Sequence, residues 1–366
     1  MSEKLKVGIL GGTGMVGQRF ISLLENHPWF EVTTIAASPR SAGKTYEEAV
    51  GGRWKMDTPM PEAVKNIVVM NVNEVEKVAS QVDFVFSAVD MTKEEIKKIE
   101  EDYAKTETPV VSNNSAHRHT PDVPMIIPEI NPEHIEIIKA QRERLGTKRG
   151  FVAVKSNCSL QSYLPAMAVI NEKYPIDHAL VTTYQAISGA GKTFETWPEM
   201  VDNLIPYIGG EEMKSEVEPN KILGKIVGNE IVPSTELQIE CQTYRVPVSN
   251  GHTAAIFFTF KDGVEKPSVE EIEKMWAEYK GVPQELSLPH APKQFIHVYT
   301  EAESPSEPQI KTAREIDGGM AISCGRLRKS TQYDYKMVSM SHNTLRGAAG
   351  GAVLLAELLT AKGYMD

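Results

Sequence analysis

Short apolar runs alternate with amphipathic segments over residues 1–115. Residues 6–10 form an apolar run that ends in glycines, and residues 15–25 then carry apolar side chains at helical spacing. Residues 31–37 are rich in β-branched side chains, residues 82–89 form another apolar run, and residues 93–104 are amphipathic. Strands separated by helices predict βαβ units in one parallel sheet, with ligands bound at the carboxyl ends of the strands.

The pattern changes after Cys158. Strand-like runs then follow one another with little helix between them, at residues 176–185, 253–260, 294–299, 320–329 and 335–342. This succession predicts a second domain with a largely antiparallel sheet. An Ala/Leu-rich helix is predicted at 345–362, packed on the first domain's sheet or on a bound cofactor. We therefore predict an α/β protein with a Rossmann-type parallel-sheet domain (residues 1–157 plus 343–366) and an α+β domain (residues 158–342).

A glycine-rich turn lies between the first predicted strand and the first predicted helix. Gly11, Gly14 and Gly17 would let backbone amides approach a pyrophosphate at a helix N-terminus. A tight turn without a ligand is the alternative, but the strand before it and the helix after it favour a dinucleotide.

The residues after the second predicted strand indicate which dinucleotide binds. Residues 36–41 lack the acid that usually binds the ribose of NAD. Two hydroxyls, Ser38 and Ser41, and the guanidinium of Arg40 suit a 2′-phosphate, so NADP is predicted. The alternative is that Arg40 is a solvated surface cation.

Composition narrows the class of protein. The chain has 366 residues, 41% of them hydrophobic, and a formal charge of −10, which suits two globular domains and opposes binding to nucleic acid or anionic lipid. Its 3 cysteines are widely spaced and lack a Cys-x-x-Cys pair, so a reducing cytoplasm is expected and no metal site is predicted. Neither a signal peptide nor a membrane-spanning segment is predicted.

Cys158 is the candidate nucleophile. It lies between a predicted strand at 151–154 and a predicted helix at 160–170, where the helix dipole would favour the thiolate. None of the 12 tyrosines has a lysine four residues later, which disfavours a short-chain dehydrogenase. An inert buried thiol is the alternative for Cys158 and the expectation for Cys241 and Cys324.

His252 is the candidate general base for this thiol. It follows Gly251 in a predicted loop, and a histidine there is expected to titrate near neutral pH. Four other histidines are expected to be surface or turn residues: His27, His119, His178 and His290.

Five motifs occur together in one order along nearly the whole chain. They are the glycine turn, SNCSLQ around Cys158, YQAISGAG at 184–191, RVPVSNGH at 245–252 and NTLRGAAGG at 343–351. This set resembles the aspartate-β-semialdehyde dehydrogenase family. The SNNSAHR segment at 112–118 is most similar to the archaeal and fungal branch.

The resemblance implies a reaction and a role for each matching residue. Cys158 would attack the aldehyde carbon to give a thiohemiacetal; transfer of a hydride to NADP would leave a thioester, which phosphate would cleave to aspartyl phosphate. In the cell the reaction would run in reverse. It would belong to the pathway that leads to threonine, methionine, isoleucine and, through diaminopimelate, lysine. The implied catalytic residues are Cys158, His252 as acid/base and Gln185 to orient the intermediate; the implied substrate-binding residues are Arg245 for the α-carboxylate, Glu211 for the amine, and Lys214, Arg118 and Asn157 for phosphate. Glu212 is an alternative for the amine.

The resemblance also implies a cofactor site and an assembly. The predicted NADP-binding residues are Gly11, Thr13, Gly14, Met15, Val16, Gly17, Ser38, Arg40, Ser41, Ser87, Ser188, Gly189, Gly191 and Asn343. Residues 158–342 would provide both catalysis and dimerisation, in a homodimer or homotetramer. Lys192 receives no role.

Other functions remain open from the sequence. A malonyl-CoA reductase of the same superfamily would use the same cysteine and histidine, but malonate has no amine for Glu211 to bind. N-acetyl-glutamyl-phosphate reductase is a more distant relative with the same catalytic logic. A non-catalytic NADP-binding regulator would need the glycine turn but not Cys158, Gln185, Arg245 and His252 together.

Overall fold

A computed structural model of the chain describes residues 3–300 and 307–366. The strands are β1 (Leu5–Leu10), β2 (Phe30–Ala37), β3 (Met70–Asn71), β4 (Phe84–Ser87), β5 (Val110–Ser112), β6 (Met125–Ile126), β7 (Val152–Lys155), β8 (Ile176–Gln185), β9 (Lys225–Val227), β10 (Glu230–Val232), β11 (Gln238–Arg245), β12 (His252–Phe260), β13 (Ile296–Tyr299), β14 (Ile322–Lys329) and β15 (Tyr335–Ser341). In this part of the chain, no helix is long and apolar enough to cross a membrane.

The α-helices lie between and after these strands. They are α1 (Met15–Leu24), α2 (Tyr46–Val50), α3 (Glu62–Lys65), α4 (Val75–Ala79), α5 (Lys93–Lys105), α6 (Ile138–Leu145), α7 (Leu164–Lys173), α8 (Glu211–Ile222), α9 (Val269–Glu278), α10 (Val282–Glu285), α11 (Ile310–Ala313) and α12 (Gly350–Ala361). Short 3-10 helices occur at Pro132–Ile137, Leu160–Ser162, Ile187–Ala190, Pro198–Met200 and Ile316–Gly319, and a π-helical turn at Leu345–Ala349.

The first sheet has seven strands in the order β3-β2-β1-β4-β5-β7-β6. Every neighbouring pair is parallel. The strand order reverses between β1 and β4, so a crevice opens there at the carboxyl ends of the strands, and the glycine turn follows β1 at this point. The predicted parallel-sheet domain is therefore confirmed.

The second sheet has six strands in the order β11-β8-β12-β15-β14-β13. Its central pairs, β8–β12, β12–β15 and β14–β15, are antiparallel, whereas the outer pairs β8–β11 and β13–β14 are parallel. Parallel neighbours need a long crossover connection, and helix α8 lies in the connection from β8 to β11. The prediction of a mostly antiparallel second sheet is confirmed, with the two outer strands as exceptions.

Helix α12 packs against the first sheet although it follows the second sheet in sequence. It contacts β5, β7 and α1, and its side chains from Gly350 to Leu359 are buried. An apolar helix covered on all sides is typical of a core helix. The domain boundaries at 157/158 and 342/343 stay a prediction.

Two predicted helices begin later than expected. The helix predicted at 160–170 is a 3-10 turn, Leu160–Ser162, followed by α7 from Leu164. Pro165 requires this break, because proline fits the first turn of a helix but not its interior. The helix predicted from residue 345 begins with the π-helical turn, in which Ala348 has a φ of −139° and a ψ of −110°.

His27 was predicted to be a surface or turn residue, and it directly follows the turn after α1 but does not lie on the surface. It is only 2% exposed, and its Nε2 lies 2.8 Å from Glu357 Oε1 on α12. The backbone N–H groups of Trp29 and Phe30 donate to its Nδ1. His290 Nδ1 lies 2.6 Å from the same Glu357 oxygen, so these side chains form a hydrogen-bonded cluster around a buried carboxylate.

Candidate active site

Cys158 lies on the wall of a cleft of about 320 Å³ just beyond the carboxyl end of β7. Residues that follow strands of the first sheet line one side of this cleft, and residues from the second part of the chain line the other. Gly347, in the π-helical turn, packs directly on the nucleophile, because a Cβ on it would lie 3.0 Å from the Cβ of Cys158. The cleft is therefore built from three distant parts of the chain around one sulfur atom.

His252 is the nearest titratable partner of this sulfur. Cys158 Sγ lies 3.4 Å from His252 Nε2, and the backbone N–H of Ala186 donates to His252 Nδ1 at 3.1 Å. Because Nδ1 accepts a hydrogen bond, the proton of the neutral ring is on Nε2, facing the sulfur. The loop after β8 lies close to the His252 ring and to the Arg245 guanidinium, since a Cβ on Gly189 would lie 3.2 Å from His252 Cε1 and 2.9 Å from Arg245 Nη1.

The two expected pKa values are both wrong for the protein without ligands. Burial, followed by the nearby Glu211 carboxylate, raises the pKa of Cys158, against the opposing effect of Lys155, Arg118 and Arg245. Burial and the Arg245 cation lower the pKa of His252 to about 3. Burial therefore favours the thiol form of Cys158, which precedes a 3-10 turn rather than the predicted α-helix, and His252 is neutral at pH 7.

Gln185 and Arg245 end two paired strands, β8 and β11, where their α-carbons are partners in register. Arg245 Nη1 donates to the carbonyl oxygen of Ala186 at 2.7 Å. Gln185 Nε2 donates to Thr183 Oγ1 at 3.3 Å and to Glu211 Oε2 at 3.4 Å. Both side chains are buried, and their partners bring them next to the cleft.

Glu211, at the start of α8, lies in the cleft. It accepts hydrogen bonds from Lys214 Nζ at 2.6 Å and from Asn157 Nδ2 at 3.1 Å. Burial would raise its pKa, but Lys214, Asn157 and Gln185 together hold the pKa of Glu211 below its usual range. Glu212 instead accepts from the backbone N–H of Thr243 at 3.3 Å, so the structure places Glu211, the first candidate, at the cleft.

Arg118 and Asn157 meet at a second buried carboxylate, Glu218. Arg118 Nη1 donates to Glu218 Oε1 at 2.9 Å, and the backbone N–H of Asn157 donates to Glu218 Oε2 at 2.8 Å. Arg118 Nε also donates to the carbonyl oxygen of Lys155 at 3.1 Å. Arg118, Asn157 and Lys214 all line the cleft, so the three predicted phosphate contacts lie together.

The glycine turn has the geometry that a bound dinucleotide requires. Gly11 has a φ of +81°, and a Cβ on it would lie 2.3 Å from the oxygen of Ala88. A Cβ on Gly17 would lie 2.3 Å from the oxygen of Gly11. Gly14, in contrast, is open, with Gly11 O at 3.5 Å as the nearest atom to such a Cβ. Thr13 precedes the first turn of α1. Its backbone carbonyl oxygen accepts a hydrogen bond from Nε2 of the buried Gln18 side chain.

The remaining predicted cofactor residues fall into two groups. Met15, Val16, Ser188, Gly189, Gly191 and Asn343 line the cleft, and Asn343 Nδ2 donates to Ser188 Oγ at 2.9 Å. Ser38, Arg40 and Ser41 lie outside its lining, in a turn directly after β2, and Ser87 is buried at the end of β4, where its Oγ accepts from Asn114.

The cleft contains residues for which no role was predicted. Lys155, Arg19 and Asn114 all line it. Lys155 had a usable signal in the sequence, since a charged side chain at the end of an otherwise apolar strand is unusual. Arg19 looks like an ordinary helix residue. Asn114 lies in the SNNSAHR segment but had no predicted role, and the fold brings both residues to the cleft.

Comparison with known proteins identifies the family to which these sequence motifs point. The family model "Semialdehyde dehydrogenase, NAD binding domain" matches residues 6–138, and "Semialdehyde dehydrogenase, dimerisation domain" matches residues 167–346. The chain is 41% identical to the aspartate-semialdehyde dehydrogenase of Candida albicans over 99% of both chains. It is 39% identical to that of the archaeon Methanothermobacter thermautotrophicus over 97% of this chain and 99% of the relative.

Solved structures extend this likeness to three dimensions. The Candida albicans enzyme, crystallised with NADP, superimposes with a TM-score of 0.88 at 39% identity, covering 99% of this chain and 100% of that one. Aspartate semialdehyde dehydrogenase II of Vibrio cholerae superimposes with a TM-score of 0.73 at 25% identity, with coverage of 99% and 100%. Because fungal and archaeal relatives match along their full length and the two family models cover most of the sequence, the chain belongs to the aspartate-semialdehyde dehydrogenase family.

Proposed function

We propose that the chain catalyses the NADP-dependent interconversion of L-aspartyl 4-phosphate and L-aspartate 4-semialdehyde through a thioester on Cys158. The observation that carries this proposal is the Cys158–His252 pair, with 3.4 Å between Sγ and Nε2: Cys158 lies on the wall of a charged cleft, and the buried His252 contacts its sulfur. In the biosynthetic direction the product is the semialdehyde, a precursor of lysine, threonine, methionine and isoleucine.

The cofactor site is assigned to residues on both sides of the cleft. The steric demands at Gly11 and Gly17 and the open backbone at Gly14 fit a pyrophosphate, and Asn343 with Ser188 fits the nicotinamide end. When bound, NADP exchanges a hydride with the substrate carbon that is held on the Cys158 sulfur.

Cys158 and His252 carry out the covalent steps. In the biosynthetic direction the Cys158 sulfur bonds to the acyl carbon of aspartyl phosphate, and the carbon–oxygen bond to phosphate breaks, so that the departing phosphate takes the electron pair of that bond and the thiol proton. After reduction, the carbon–sulfur bond breaks, which releases the aldehyde and the thiolate, and the thiolate takes up a proton from solvent. His252 presents its Nε2–H to the sulfur throughout, and this hydrogen bond stabilises the thiolate that leaves.

The surrounding charges match the functional groups of this substrate. Arg245 uses one nitrogen for Ala186 O, and its other nitrogens can hold the α-carboxylate. Glu211, kept ionised by Lys214, suits the α-amine. Malonyl-CoA has no amine for this carboxylate, which favours the aminated substrate over the malonyl-CoA reductase reaction.

The decisive experiment is an assay of NADP reduction with aspartate semialdehyde, with and without inorganic phosphate. We expect turnover that depends on phosphate. Cys158→Ser should abolish nearly all of it while NADP still binds, because a hydroxyl is a far weaker nucleophile and the glycine turn is unchanged. Full activity of Cys158→Ser, or turnover with malonyl-CoA and none with the semialdehyde, would overturn the proposal.

We further propose a homodimer or homotetramer that acts in the cytoplasm on small-molecule substrates. One face of the second sheet supports the assembly, because the alternate residues of β12 on that face are half-buried while those on the other face are buried. The three free thiols Cys158, Cys241 and Cys324 suit a reducing compartment. Sedimentation at micromolar concentration should give a mass of at least twice the chain.

A further inference from the structure

A buried lysine beside Cys158 has no part in the steps described above. Lys155 is the last residue of β7, and its side chain is 3% exposed. It lines the same cleft as Cys158, Arg118 and Lys214. An ammonium group in this position loses most of its hydration and needs acceptors from elsewhere.

The protein supplies such acceptors to another buried lysine but not to this one. Lys221, 5% exposed, donates from Nζ to the carbonyl oxygens of Arg118, Thr120 and Val123 at 2.9, 2.6 and 2.7 Å. Within the described ranges, no hydrogen bond or ion pair joins Lys155 Nζ to a protein atom. Lys221 is therefore satisfied by the fold, whereas Lys155 Nζ has no protein acceptor in the described ranges and is free to bind a group in the cleft.

The charges around Lys155 indicate the sign of that ligand. Arg118 is already paired with Glu218, and Lys214 with Glu211. Burial, followed by the Arg118 cation, lowers the pKa of Lys155 to about 7, while Cys158, Glu218 and Glu211 act in the opposite direction. Of the two lysines that line the cleft in the described structure, Lys214 has a carboxylate partner and Lys155 has none. An anion bound beside Lys155 would favour its charged form.

We propose that Lys155 is a third cationic ligand of the phosphoryl group, together with Arg118 and Lys214. This inference rests on the proposed function and deepens it. Arg118 and Lys214 are each paired with a carboxylate, so an unpaired ammonium group beside them adds net positive charge for a phosphoryl dianion. Lys155 supplies this charge, and its Nζ donates to a phosphoryl oxygen next to the acyl carbon that Cys158 attacks.

Lys155→Met tests this role, because it keeps an unbranched side chain and removes the charge. We expect the KM for inorganic phosphate in NADP reduction to rise about 10- to 100-fold, the usual effect of losing a hydrogen bond between charged groups. The KM for the semialdehyde and the affinity for NADP should change little. The KM of Lys155→Arg for inorganic phosphate should lie between those of Lys155→Met and the unmodified protein, since arginine keeps the charge but has a different shape.

Lys221→Met is the matched control, because it also removes a buried ammonium group close to Arg118. It should lower the melting temperature and raise the KM for phosphate much less than Lys155→Met does. An unchanged phosphate KM in Lys155→Met, with only an upward shift in the pH at which iodoacetamide alkylates Cys158, would overturn the proposal and make Lys155 a support for the thiolate alone.

A measurement on the unmodified protein covers the case in which Lys155→Met does not fold. Trace acetylation with acetic anhydride, read by mass spectrometry, should label Lys155 more slowly when inorganic phosphate is present, with the exposed Lys192 as the reference. Equal labelling of Lys155 with and without phosphate contradicts the proposal. If the unmodified protein shows no phosphate-dependent turnover, the proposed function fails, and this is distinct from failure of the Lys155 assignment.

Discussion

At the scale of single residues, Arg245 is the side chain whose role depends most on the shape of its charged group. It is buried beside His252, and Gly189 leaves space for it by lacking a side chain. A planar guanidinium can hold Ala186 O and a carboxylate at the same time, whereas an ammonium group cannot reproduce that fork. Arg245→Lys should therefore lower kcat/KM for the semialdehyde about 10- to 100-fold, measured by steady-state NADP reduction.

The control for this substitution is Arg326→Lys, at an exposed position on β14. Exposed charges contribute roughly 0 to 1 kcal/mol, so the control should retain normal kinetics. NADP binding should be unchanged in both variants. Unchanged kinetics in Arg245→Lys would mean that another residue holds the α-carboxylate, and the assignment of His252 in the same loop would need revision.

The identities of the reacting residues could be predicted from the sequence, but their ionisation could not. Cys158 and His252 stand in recognisable motifs, so the sequence indicates both. Their pKa values depend on burial and on Glu211 and Arg245, which are far away along the chain. The lack of a hydrogen-bond acceptor for Lys155 could not be predicted from the sequence either, because only the folded structure shows which lysines donate to carbonyl groups.

At the scale of elements, the ends of β1 and β2 determine where the cofactor's adenosine half can lie. Leu10 pairs with Ala36, so the turn with Ser38, Arg40 and Ser41 emerges beside the glycine turn. Arg40 is exposed there. Arg40→Ala should weaken NADP binding by about 1.5 to 3 kcal/mol and leave NAD binding almost unchanged, as measured by fluorescence titration with both dinucleotides. Equal losses for the two would contradict a 2′-phosphate contact.

The elements were predictable where local pattern and tertiary environment agree. Strand β8 has the predicted bounds, 176–185, because its buried residues alternate as a half-covered strand requires. The segment from residue 160 was predicted as one helix because the apolar spacing continues through it. That spacing does not indicate that Pro165 has to lie in the first turn of a helix. The π-helical turn before α12 was also missed, since apolar spacing does not indicate that Gly347 in this turn packs closely on Cys158.

At the scale of the whole molecule, buried histidines make stability depend on pH. Five of the nine histidines are buried and have pKa values lowered first of all by burial: His27, His117, His134, His252 and His342. Below pH 6.5 the unfolded chain binds protons at these sites that the folded chain does not bind, so the folded state loses stability as the pH falls. The loss continues to about pH 3 for His252 and His342.

Each such histidine contributes at most about 1.4 kcal/mol per pH unit. The melting temperature of the protein without ligands should therefore fall steadily from pH 7.5 to pH 5, as measured by calorimetry in buffers of equal ionic strength. Glu100 acts in the opposite direction, because burial raises its pKa, but it is one group against five histidines. A melting temperature that is constant over this range would show that these histidines are protonated without cost in the folded protein.

The position of α12 has a consequence for synthesis of the chain. The face of the first sheet that α12 covers is completed by residues 350–361, although the seventh strand of that sheet ends at Lys155. At about 5 to 20 residues per second, translation separates Lys155 from Gly350 by roughly 10 to 40 seconds. During this time the nascent chain exposes the apolar side chains of β5 and β7 that α12 later buries. This face is therefore an apolar surface to which a ribosome-associated chaperone can bind, and a chain that terminates before residue 350 would be an aggregation-prone fragment.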